Sequence, residues 1–307
     1  MAGNCLHAIL TRIPGDMHPV RRLFSRLIPK AWRSDAVTIP VIRLHGAIMS
    51  GGGQFRPSLS LATTAGLIEK AFAFSDAPAV AISINSPGGS PVQSRLIYKR
   101  IRDLAEEKNK RVIVFVEDVA ASGGYMIALA GDEIVADPSS IVGSIGVVSA
   151  SFGFQELIRK IGVERRVHTA GTNKAILDPF QDEKPEDVER LKALQLEVHQ
   201  TFIDMVKERR GAKLADDADL FTGLFWSGTR GRELGLVDEI GDMRGFLRAR
   251  FGDKMRMKLV APQRRLFGRG LGFMGIARND PAAIAQAAAT GLADAATDRA
   301  LWARFGL

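Results

Sequence analysis

The chain has 307 residues, 46% of them apolar and 25% charged, with a single cysteine and a net charge of +8. These proportions exclude a disordered or disulfide-stapled chain and leave room for a sizeable core. No run of about 20 apolar residues occurs, which is what a spanning helix needs, and the first 35 residues lack the apolar middle of a secretory signal. The charge is uneven: residues 1–35 carry +4 and residues 244–307 carry +8, so the middle carries −4. Such ends suit either solvated tails or contact with an anionic membrane surface. The stretch from Arg264 to Ile276, which mixes cations with large apolar groups, is the candidate for peripheral membrane contact. Nucleic acid is not expected as a partner, and the reading is cytoplasmic.

In chain order, residues 37–45 predict a strand and residues 60–73 a helix carrying Leu61, Leu67, Ile68 and Ala71. The short apolar run 79–84 predicts a strand buried on both faces. Residues 91–107 predict an amphipathic helix, 111–116 a second buried strand, and 122–130 a helix that opens with small residues. Strands are expected at 132–136, 145–149 and 163–168, a helix at 153–161, and one long helix at 185–210 between Pro185 and Gly211. Beyond residue 262 the pattern dissolves into Gly and Arg, and then comes an Ala-rich helix at 281–303. Alternating strands and helices imply an α/β fold with parallel pairing. The expected organisation is a basic extension over 1–35, a catalytic domain over 36–245 and a basic, Gly/Ala-rich extension over 246–307.

Chemistry concentrates at two strand ends. Asn85-Ser86-Pro87-Gly88-Gly89 comes directly after the strand at 79–84. Such a turn can expose successive backbone N–H groups to a ligand oxygen, as an oxyanion hole requires, although it also fits an ordinary tight turn. The run Asp118 to Tyr125 comes after the strand at 111–116 and sets Ser122 between Ala121 and Gly123. Small neighbours let a carbonyl carbon approach a nucleophilic hydroxyl. The same serine could simply cap a helix.

The segments NSPGGS, DVAASGGYMIALAGDEIVADPSSIVGSIGVV and FTGLFWSGTRGRELGLVDEIGD, with a lysine before a Pro-Phe pair, resemble the signal peptide peptidase A family of serine peptidases over residues 37–245. The resemblance implies a Clp protease/crotonase-like fold of repeated ββα and βα units. It implies Ser122 as nucleophile, Lys174 as general base and Ser144 as the lysine's hydrogen-bonding partner. Gly88 or Gly89, with Gly123, matches the oxyanion-hole positions. No cofactor is implied. One copy of each motif matches the short form of the family. That form is a homo-oligomer whose lysine serves a neighbour's serine, and its substrates are hydrophobic peptides such as signal-peptide remnants. Residues 46–60 are the candidate groove-lining loop. Many members begin with a membrane-spanning segment, and none is read here, so a general peptidase fits equally well.

A free lysine has a pKa near 10.4 and acts as a base only when burial disfavours its charge. The apolar run Ala175, Ile176, Leu177, Pro179 and Phe180 suits that task. Of the five histidines, His45, His168 and His199 could serve a rival Ser–His–Asp triad but read as core or surface residues, and none clusters for a metal. Ser86 is a weaker alternative nucleophile. Two other function classes stay open. One is a crotonase-type acyl-CoA enzyme, and the other is a non-catalytic oligomeric scaffold at a membrane surface.

Overall fold

The structure is a computed structural model that describes residues 36–50, 58–261, 295–296 and 298–307. The basic stretch 1–35, the tip of the 46–60 loop, the 264–276 stretch and most of the 281–303 helix lie outside the described residues.

The chain forms β1 (Thr38–His45), α1 (Leu61–Phe72), β2 (Ala79–Ser86), α2 (Pro91–Lys108), β3 (Arg111–Ala121), α3 (Gly123–Ala128), β4 (Glu133–Ala136) and β5 (Ile141–Gly143). It continues with α4 (Gln155–Lys160), α5 (Pro185–Arg210), β6 (Phe225–Ser227), α6 (Gly228–Glu233), β7 (Glu239–Ile240), α7 (Met243–Phe251) and β8 (Arg256–Leu259). The strands make one sheet in the order β6-β5-β3-β2-β1-β8, with β4 and β7 branching from β3. Every pairing is parallel except β5 with β6. The expected α/β class with a large parallel sheet is therefore found.

The sheet is buried on both faces because successive residues of each central strand are apolar and point to opposite sides. Ile42, Leu44, Val80, Ile82, Ile84, Val112, Val114 and Val116 face one core, which includes Ile68 and Phe72 of α1 and Ile97 and Ile101 of α2. Ile39, Val41, Ala79, Ala81, Ile113 and Phe115 face the other, with Phe246 and Leu247 of α7. Helix starts obey local chemistry: the Ser60 side chain accepts the Thr63 N–H at α1, and Ser90 with Pro91 opens α2. The C-terminal end of α5 is pinned by Arg210. Its guanidinium binds Asp238 at 2.8 Å and the Gly235 carbonyl at 2.7 Å, while Asp238 also accepts the Ile134 N–H of β4. Burial pushes the Asp238 carboxyl up, but the bonds from Arg210 and Lys213 prevail and hold it below its usual value.

Three expectations are corrected. The strand expected at 145–149 lies instead at 141–143, where β5 pairs with both β3 and β6. Residues 163–168 form no strand and are exposed. The folded unit does not stop at residue 245: α7 crosses that position, and β8 pairs with β1 from Thr38↔Arg256 to Val41↔Leu259. Phe305 also packs on Val119 and Ala121.

What positions the site is the length of β3. Its first half pairs with β4 and its last three residues pair with β5. The strand therefore leaves one neighbour for another just before its end.

Candidate active site

The β3–β5 pairing ends at Ala121↔Gly143, so the next residues, Ser122 and Ser144, stand abreast at the ends of adjacent strands. The Ser122 N–H donates to the Gly143 carbonyl at 2.8 Å, and the Ser144 N–H donates to the Leu224 carbonyl at 2.7 Å. Both serines have positive φ, 51° for Ser122 and 52° for Ser144. A side chain held there costs about 1–3 kcal/mol and persists only where the surroundings impose it. Ser122 lies at φ 51° and ψ −122° and precedes α3, yet its side chain makes no capping hydrogen bond. The cap role open to it on sequence grounds is thus not taken. Among the described residues the sharp strand-to-helix turn leaves its hydroxyl uncommitted, the geometry of a nucleophile elbow.

The glycine turn from β2 is pressed against this serine. A Cβ on Gly88, where φ is +101°, would lie 2.8 Å from the Ser122 Cβ and 2.9 Å from the Gly123 nitrogen. A Cβ on Gly89 would sit 2.1 Å from the Ile48 carbonyl oxygen. The turn is stitched to residues 46–50 by Ile48 N–H to Gly88 O at 2.9 Å and Ser90 N–H to Ile48 O at 2.7 Å. The Gly88 N–H meets the Ser86 hydroxyl at 3.3 Å, so Ser86 is turned to its own loop. Among the described residues the Gly89 and Gly123 N–H groups have no acceptor. The Gly89 nitrogen lies 3.4 Å from where a Gly123 Cβ would be. Two unpaired donors therefore stand side by side next to an uncommitted hydroxyl.

Two adjoining cavities open onto Ser122. One, of about 250 Å³, is lined by Pro87, Gly89, Met126, Val147 and Val148, with Leu301 and Arg304 also on its lining. The other, of about 290 Å³, is lined by Ser122, Ser144, His199 and Thr222. His199 is a residue that sequence reasoning placed elsewhere. Its Nε2 donates to the Ile145 carbonyl at 3.0 Å, which brings α5 to the floor of the second cavity. No local motif announces it, because its partner is 54 positions away. His45 turns instead to Ser83 at 2.8 Å, beside Glu117. His168 is exposed.

Lys174 is not brought to Ser122. It is exposed and lines neither cavity. Among the described residues the apolar burial that its neighbours suggested is not formed: Ile176 is 40% exposed. Asp178, close in sequence, is committed elsewhere. It accepts the Phe180 N–H and binds Arg165 at 2.8 Å, and these bonds hold its carboxyl below its usual value. The surrounding stretch carries large apolar groups into solvent, with Phe152 80%, Val148 66% and Ile161 64% exposed. Among the described residues no cluster of His, Cys, Asp and Glu could hold a metal, and no helix is long and apolar enough to cross a membrane.

Known proteins sharpen this picture. The chain is 68% identical over 287 residues to the Na(+)/H(+) antiporter NhaA of Brucella abortus, a match covering 93% of this chain and 39% of that protein. It is 33% identical over 209 residues to the chloroplastic serine protease SPPA of Arabidopsis thaliana, covering 67% of this chain and 31% of that one. Thus the chain spans less than half the length of either relative. Among solved structures, the 1510-N membrane-bound stomatin-specific protease aligns with a TM-score of 0.45 and 16% identity, over 74% of this chain and 99% of the other. The model of peptidase family S49 matches residues 105–249, which hold Ser122, Ser144, Lys174 and His199. By this match, and by its likeness to the chloroplastic serine protease, residues 105–249 are similar to peptidase family S49.

Proposed function

We propose that this chain is a serine endopeptidase whose Ser122 attacks the carbonyl of an apolar peptide. The observation that carries the reading is the juxtaposition at one strand end: a strained, uncommitted serine hydroxyl beside two unpaired glycine N–H groups. Such donors stabilise the oxyanion that forms when a hydroxyl adds to an amide carbonyl. Lys174 takes the Ser122 proton and passes it to the leaving amine. The acyl group left on Ser122 is then hydrolysed by water that the same lysine activates. Ser144, abreast of Ser122, orients the amine.

The base comes from a second copy of the chain. A free lysine at pH 7 is neutral in only about one molecule in 2,500, so the role requires desolvation. A solvent-exposed Lys174 lacks that desolvation within its own subunit. The exposed apolar residues of 148–180 give a neighbouring copy something to bury, and docking carries Lys174 to a cavity lined by Pro87, Met126, Val147 and Val148. The apolar lining favours hydrophobic peptides, signal-peptide remnants among them. The location is cytoplasmic, with peripheral contact at a membrane through the basic ends.

The test is hydrolysis of a panel of apolar peptides by the purified chain. Activity is expected with the parent and lost with Ser122→Ala. Equal turnover by both proteins would overturn the reading, and turnover of acyl-CoA thioesters without peptide cleavage would move it to the crotonase-type class.

A further inference from the structure

Two residues of the site motifs have no part in the proposed chemistry: Asn85, which opens the glycine turn, and Asp118, which opens the run that holds Ser122. β2 and β3 pair residue for residue as far as Ile84↔Val116, and pairing resumes at Ser86↔Ala120. Between those points β2 contributes only Asn85, whereas β3 contributes Glu117, Asp118 and Val119. The surplus is a bulge. Bulges bend a strand and re-aim the residues beyond them, and Ser122 stands three residues past Val119.

Asn85 spans the bulge. Its Nδ2 donates to the Asp118 carboxylate at 2.6 Å, its Oδ1 accepts the Val119 N–H at 3.3 Å, and its carbonyl accepts the Gly46 N–H at 2.9 Å. The other bulge residues have separate anchors. Glu117 accepts the Ser83 hydroxyl on its side chain and the Ser140 hydroxyl on its carbonyl. Among the described residues, Asn85 is the side chain that binds the Asp118 carboxylate. His45, opposite Asn85 in the β1–β2 pairing, feels the charges of Glu117, Arg43 and Asp118. One amide thus joins the strand that leads to the Gly89 donor to the strand that leads to the nucleophile.

We infer that Asn85, held by Asp118, is a positioning residue that sets the offset between the Gly89 N–H donor and Ser122. The inference rests on the reading of Ser122 as nucleophile. The Asn85–Asp118 bond is solvent-exposed, and an exposed bond adds little to global stability. Its effect should therefore show in turnover rather than in folding, because a misplacement of about 1 Å can cost about a hundredfold in rate.

The experiment uses the full chain in its assembled form. Asn85→Ala and Asp118→Ala are each expected to lower kcat roughly ten- to a hundredfold, with KM changed less than about threefold and the melting temperature nearly unchanged. Asn85→Asp alone sets two carboxylates against each other and should be impaired to a similar degree. Combined with Asp118→Asn, it restores one amide facing one carboxylate and leaves an acceptor for the Val119 N–H. That double variant is expected to recover kcat to within about threefold of the parent. Parent-level kcat in both alanine variants, or a double variant no better than Asn85→Asp, would overturn the inference. A fluorophosphonate probe separates the two levels. If the parent is labelled at Ser122 and Asn85→Ala is labelled as fast, the positioning role alone fails. If the parent is not labelled, the Ser122 reading fails and takes the inference with it.

Discussion

The end of β3 and the stretch 148–184 hold the two halves of the proposed chemistry, and they are built in opposite ways. Around Ser122 almost everything is buried and bonded. α3 lies wholly in the core, Tyr125 donates to the Leu236 carbonyl at 2.8 Å, and the glycine turn leaves no room for a Cβ. Around Lys174 the chain is exposed, regular structure is reduced to the six residues of α4, and apolar side chains face solvent. A serine that must sit within bonding reach of a carbonyl needs rigidity that one subunit can supply. A lysine that must shed its charge needs an apolar lid, which the described residues do not form and a second copy can provide.

Substitutions can break or sharpen that contrast. The largest effect is expected from Ser122→Ala, which should lower peptide hydrolysis at least ~10³-fold while leaving the circular dichroism spectrum intact. Next comes Gly88→Ala. The added methyl would meet the Ser122 Cβ at 2.8 Å in a left-handed backbone, so kcat should fall about 10²–10³-fold, as when an oxyanion donor is displaced. Asp238→Ala probes the rigid region without touching the chemistry. It leaves Arg210, 4% exposed, without its carboxylate, and chemical denaturation should show a loss of about 3–5 kcal/mol. In the exposed region the expectation reverses. Phe152→Ser should leave the stability of the single chain within about 0.5 kcal/mol yet weaken self-association, measured by sedimentation, by roughly tenfold or more.

The smallest effect is a pH dependence at the polar end of β1. Burial lowers the His45 pKa from its usual 6.5 and outweighs the opposing pull of Glu117. The folded state then binds the proton less readily than the unfolded chain, so stability is full above pH 6.5 and declines as pH falls below it. Asp238, with its carboxyl held below 3.8, adds a further loss at more acid pH. His45→Gln should remove the upper part of the decline in melting temperature and leave the lower part.

The buried strands were legible because runs such as Ala79–Ile84 and Val112–Val116 are apolar on both faces, which few other settings allow. Ser122 and the glycine turn were legible because motif and strand end coincide. The run Ile145–Val148 misled for a reason tied to function. It has strand composition, but Gly143 and Ser144 turn the backbone into the cavity at φ +103° and +52°, and such local rules fail most often at sites. Residues 163–168 carry the β-branched Val163 and Val167, yet among the described residues no strand pairs with them. α7 and β8 were hidden by arginines and by Met255 and Met257, whose partly buried side chains pack on the second core. The contact between His199 and Ile145 depends on how α5 crosses the sheet, and no local spacing encodes that.

Mixing two inactive proteins tests the shared site most directly. Ser122→Ala subunits keep Lys174, and Lys174→Ala subunits keep Ser122. Co-refolded in equal amounts, they should regain peptidase activity at roughly a quarter of the sites, those where an intact serine meets a neighbour's intact lysine. Mixed assemblies shown to form, with no activity above that of either parent, would contradict the sharing of the site between subunits.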